Sequence, residues 1–191
     1  MTLATIVEVS LWMILPLGLL GSLLHFLFDW TKHNRLVAIF GAVNESYWEH
    51  IKIAIWPVML VQIALFVFGG HQYLAYIPAA TIALYSIPIS MVGIVFSYKA
   101  LTKRNVLWLD ITVFFITIAT GQLIFVLVLE QLSATPATVL ASILFLLGLV
   151  AAFGLFTLRP PKEPDPFVDP INQKYGLSAH PDINSPPTNQ T

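Results

Sequence analysis

Five stretches of this sequence stay hydrophobic for about 20 residues, the length a helix needs to cross a bilayer: residues 6–28, 51–69, 76–98, 107–129 and 138–158. Inside hydrocarbon a spanning segment must satisfy its own backbone N–H and C=O groups, so stretches of this kind become helices. The expected fold is all-α: a polytopic integral membrane protein with five transmembrane helices. The first stretch has no basic residue ahead of it. It ends in His25-Phe26-Leu27-Phe28-Asp29-Trp30 in place of a small-residue cleavage site, so it should persist as a span and not be removed as a signal peptide.

The positions of Lys and Arg give the orientation. Lys32, Arg35 and Lys52 fall between the first two spans, Lys99, Lys103 and Arg104 between the third and fourth, and Arg159, Lys162 and Lys174 after the fifth. The N-terminus and the turns at residues 69–73 and 131–136 carry none. This predicts the N-terminus outside and the C-terminus in the cytoplasm, with the lipid bilayer as the first partner. Only 10% of residues are charged and the net charge is −1, so nothing recruits nucleic acid. Cysteine is absent, which excludes disulfides, thiolate metal sites and a cysteine nucleophile.

Ionisable chemistry is concentrated in one run, Asn44-Glu45-Ser46-Tyr47-Trp48-Glu49-His50-Ile51-Lys52, where the second span begins. Charge so close to hydrocarbon persists where protein, water or an ion satisfies it. Part of the run has a structural explanation. Ser46-x-x-Glu49 has the form of a capping box and Asn44 is a second N-cap. Lys52 can pair with Glu49, and Trp48 can anchor at the interface. Glu45, His50, His25 and Asp29 are left over.

His25 and Asp29 are four residues apart and share a helix face with Gly18 and Ser22. A helix beginning near residue 45 would put Glu45, Glu49 and Lys52 on one face, with His50 roughly a quarter-turn round. Asp110 opens the fourth span at the same depth. Imidazoles with carboxylates suit zinc, manganese or iron, and carboxylates alone suit magnesium. His25, Asp29, Glu49, His50 and Asp110 are therefore candidate ligands of a divalent metal, with Glu45 or Glu49 as general base if the site is catalytic. This set is assembled by depth; no metal-ligand spacing motif joins its members.

Small residues also recur at helical spacing: Ser86, Ser90, Gly93 and Ser97 in the third span, Thr117 and Gly121 in the fourth, and Ala141, Gly148 and Ala152 in the fifth. Close helix packing is their expected role.

The segments Gly21-Ser-Leu-Leu-His25-Phe-Leu-Phe-Asp29-Trp30 and Val43-Asn-Glu-Ser-Tyr-Trp-Glu-His50-Ile-Lys52 resemble a family of small bacterial membrane proteins of unknown function. So do Leu109-Asp110-Ile111 with Gly121-Gln122, and a tail of the form Pro160-Pro161…Pro166-Phe167-x-Asp169-Pro170…Tyr175-Gly176. The resemblance implies a bacterial inner membrane, five spans, and a shared importance for His25, the carboxylate at 29, Asn44, Glu45, Trp48, Glu49, His50 and Lys52. It supplies no activity.

Residues 159–191 are rich in Pro, Asn, Asp and Ser and lack periodicity, so they are expected to form a cytoplasmic tail, disordered over residues 178–191. Phe167 and Tyr175 can fold the earlier part back over the polar site, whereas His33 and His180 are expected to be solvated. Three functions fit: a binding or structural membrane component with a protein partner or homo-oligomer, a metal-dependent hydrolase of a lipid or amphiphile, and a small transporter working as a homodimer. The first is slightly favoured.

Overall fold

The computed structural model describes residues 1–104, 106–162 and 165–180. Among these there are seven α-helices: α1 Leu3–Trp12, α2 Ile14–Leu24, α3 Leu27–Trp30, α4 Tyr47–Val67, α5 Tyr76–Thr102, α6 Leu107–Gln131 and α7 Pro136–Leu158. Helices α4 to α7 are long and apolar enough to cross a membrane, and they fall on the last four hydrophobic stretches of the sequence.

The first stretch differs from a single straight span. It breaks at Met13, and α1 and α2 meet at 50°. Pro16 accounts for the break, because it has no N–H to bond the carbonyl of Trp12 and its ring crowds that carbonyl. If the bent pair counts as one crossing, the helices long enough to span number five.

Packing concentrates on α4, whose residues 51–59 are all buried. Leu17, Ile53, Ile55, Ile87, Ile118 and Phe153 bring α2, α4, α5, α6 and α7 into one core. Gly21 allows α2 to approach closely: a Cβ there would stand 2.8 Å from the Ile53 carbonyl oxygen and 2.8 Å from Phe114.

The other small-residue stripes do not all pack. Nothing lies within 4 Å of a Cβ built on Gly93 or Gly148. Ser86, Ser90 and Ser97 bond carbonyls of their own helix, those of Ala83, Ser86 and Gly93. A short hydroxyl three or four residues along can satisfy itself this way, so periodicity alone does not identify a contact face. Helix α7 contributes few buried residues, and its Leu140, Leu144, Phe145 and Leu147 are each at least 60% exposed.

The helices alternate in direction, so the end of α2, the start of α4, the end of α5, the start of α6 and the end of α7 share one end of the bundle. All nine Lys and Arg residues belong to that end or to the segments joined to it. Residues 165–180 fold back across it as a strap. Phe167 packs on Trp48 and Phe156, and Asn44 Nδ2 donates to the Gly176 carbonyl at 2.9 Å. Residues 181–191, the greater part of the segment expected to be disordered, lie outside the described residues.

Candidate functional site

The start of α4 sorts the polar run into two groups. Ser46 is the N-cap in extended conformation (φ −71°, ψ 154°), and the helix begins at Tyr47. Glu45 therefore precedes the helix and leaves the face that Glu49 and Lys52 share. The capping box does not form, because the Ser46 side chain makes no capping bond. Asn44 supports the turn instead, its Oδ1 accepting from the Ser46 N–H at 2.8 Å.

Glu49 and Lys52 point inward and are essentially inaccessible. Lys52 Nζ donates to Glu49 Oε2 and to the Ala38 carbonyl, both at 2.6 Å, and to Thr157 Oγ1 at 3.0 Å. Glu49 Oε2 also accepts the Val43 N–H at 2.9 Å. One ion pair thus ties α4 to the preceding loop and to the end of α7. Charge removed this completely from water holds only when its donors and acceptors are satisfied, as they are here. Trp48, partly buried, packs against Phe153, Phe156 and Phe167.

Glu45 faces the other way. Its Oε1 lies 3.1 Å from His25 Nε2, and its Oε2 lies 3.9 Å from His50 Nε2. His50 is oriented by its Nδ1, 2.9 Å from the Ser46 carbonyl oxygen. The Glu45 N–H donates to Asp169 Oδ2 of the strap at 3.1 Å. Two cavities of about 290 and 380 Å³ adjoin here. Glu45, His50 and Asp110 border both, and His25 borders the larger. Asp110 also accepts a hydrogen bond from Tyr98. Of the residues predicted to ligate a metal, His25, His50 and Asp110 thus gather here with Glu45, whereas Glu49 borders neither cavity.

Asp29 lies elsewhere. The chain turns at His25 and Phe26 before α3, so His25 and Asp29 do not form the direct pair that unbroken helical spacing suggests. Asp29 Oδ1 instead lies 3.3 Å from His33 Nε2 and 2.9 Å from His180 Nε2. Both histidines are expected from sequence to be solvated, but His180 is only 7% exposed. The strap's own aperiodic sequence gave no signal of this contact.

The His25–Glu45 pair titrates in a definite sense. Both groups lie outside the long helices. The hydrogen bond to Glu45 raises the His25 pKa above its ordinary 6.5, burial opposing. The same bond lowers the Glu45 pKa below its ordinary 4.5. The histidine's contribution is complete below pH 6.5 and is lost as pH rises through its folded value. The carboxylate's is complete above pH 4.5 and is lost as pH falls through its folded value. The stability difference between wild type and Glu45→Gln should therefore be largest between these limits and shrink on the alkaline side of pH 6.5. Melting curves of both proteins from pH 4 to 9 check this, and a difference that grows with alkalinity would contradict it.

No curated protein and no solved structure matches the chain significantly. A family of unknown function (DUF6512) matches residues 1–177, a span that takes in the bundle, both polar groups and most of the strap. The chain belongs to that family.

Proposed function

We propose that this is a multi-pass protein of the bacterial cytoplasmic membrane, N-terminus outside, that binds the cationic head of an amphiphile between α2, α4 and α6 on the cytoplasmic side. One observation carries the proposal: the polar lining of the two cavities centres on Glu45, His50 and Asp110, with His25 and Ser22 beside them in the larger, and the remaining walls are mainly apolar, Ile53, Met91, Val95 and Phe114 among them. At the rim of the larger cavity Phe26, Leu107 and Ile111 are at least half exposed, so a molecule in the bilayer has a lateral path to the carboxylates. Among the described residues the charged neighbours of Glu45 within ion-pair reach are histidines alone. Glu45 and Asp110 bring two carboxylates to this one polar place, where a cationic head finds its counter-charge. The clustering of basic residues at this end supports the cytoplasmic assignment.

Decyltrimethylammonium should raise the melting temperature of the protein in maltoside micelles, whereas decyl sulfate should not. A trimethylammonium has no N–H to donate and is held by charge alone; opposite charges about 5 Å apart near a protein surface attract by about 3 kcal/mol, so Glu45→Gln and Asp110→Asn should each weaken ammonium binding by about tenfold or more. Equal shifts from both amphiphiles, unaffected by the substitutions, would contradict the proposal.

A second reading is favoured by the room left over. The cavities are larger than an ion needs, and imidazole with carboxylate is a metal donor set. A zinc, manganese, iron or magnesium ion held by His25, His50 and Asp110 beside a bound lipid would give Glu45 the place of a general base in a hydrolase. Metal-dependent release of fatty acid from phospholipid would favour this reading.

A further inference from the structure

We propose that Asp29, His33 and His180 form a zinc site that pins the C-terminal strap to the loop following α3. The three come from opposite ends of the chain, and their donor atoms all lie within 4.8 Å of one another. Two imidazoles and one carboxylate are a recurrent zinc donor set. Zinc bonds of about 2.0–2.2 Å in a tetrahedron put neighbouring donors roughly 3.3 Å apart. Asp29 Oδ1 already stands 3.3 Å from His33 Nε2 and 2.9 Å from His180 Nε2. A small closure between the two rings completes the triangle. The half-exposed side chain of Asp29 leaves a fourth position open to water.

The surroundings are built to hold these donors. Phe28, 1% exposed, lies against both imidazoles, with ring centroids 5.2 Å from His33 and 5.1 Å from His180. His33 is returned over Asp29 by a turn in which Lys32 (φ 53°) and His33 (φ 60°) both take the left-handed conformation. Non-glycine residues adopt it at a cost. On the strap side, Asn172 Nδ2 bonds the Ala179 carbonyl, and Leu177 packs against the cluster of Phe28, Ala38 and Val43. Pro170 and Ile171 of the same strap border the smaller cavity, so zinc here would govern how firmly that cavity is covered. The site shares no residue with the Glu45 group and stands independently of the proposed amphiphile binding.

The test uses the full chain in detergent, stripped of metal and titrated with Zn²⁺ against a chromophoric chelator. Trypsin cleavage after the exposed Lys174 reports strap opening. Asp110→Asn serves as the background, to silence any metal bound at the larger site. One zinc per chain is expected. At 100 times Kd, binding that requires a closed strap slows cleavage by up to about 100-fold. His180→Ala and, on the loop side, His33→Gln should each abolish both the tight zinc and the protection. Zinc that binds equally well in both variants would overturn the proposal. So would zinc binding without protection of Lys174, or no zinc binding at micromolar concentrations.

Discussion

Replacing Lys52 by methionine is expected to destabilise the protein by about 3–5 kcal/mol, the cost of leaving a buried charge without its partner. In Lys52→Met, Glu49 keeps the Val43 N–H but loses its cation, and the acceptors on Ala38 and Thr157 lose their donor. The double variant Glu49→Gln/Lys52→Met removes both charges. Its amide oxygen can still accept from Val43, and its amide nitrogen can replace one lost donor. Most of the stability should return, and the double-mutant cycle should give a coupling of several kcal/mol. Chemical unfolding of the four proteins in micelles measures it. Simple additivity would mean that the pair is not the lock its geometry implies.

The second large effect concerns Gly21. In Gly21→Ala the new methyl would press on the Ile53 carbonyl, a backbone atom that cannot swing aside, and on Phe114. Overpacking of this kind costs about 1–3 kcal/mol. It also moves the end of α2, where His25 meets Glu45 and where one cavity opens, so ligand binding should fall along with stability. Gly93→Ala is the control. Its Cβ meets nothing within 4 Å, and the exchange should be neutral or raise stability by up to about 1 kcal/mol through helix propensity. Equal effects at the two positions would show that close approach at Gly21 does not organise α2.

The contrast between these glycines marks how far the sequence could be read. Hydropathy located α4 to α7, because apolar length is a property of the segment itself. The distribution of Lys and Arg located the polar end, and the Glu49–Lys52 pair was visible as a local i,i+3 spacing. Gly18, Gly93 and Gly148 have the same periodic character, yet only the first is packed against a neighbour; which face meets a helix depends on its partner, and periodicity does not encode that. Pro16 breaks the first stretch, but whether a proline bends or breaks a span depends on tertiary support. At residue 45 the helix starts two residues later than spacing alone suggested, which is enough to turn Glu45 away from Glu49. The meeting of Asp29 with His180 joins the first loop to an aperiodic tail, and no local pattern reports a contact of that separation.

The most direct test of amphiphile binding is photocrosslinking with an alkylammonium carrying a diazirine in its chain, with labelled residues mapped by mass spectrometry. The geometry predicts labels on Ile53, Ile111 and Phe114, next to the carboxylates, and their loss in Asp110→Asn. Labels spread over the exposed face of α7 at Leu140, Leu144 and Leu147, and unchanged by that substitution, would show that the polar end holds no such ligand.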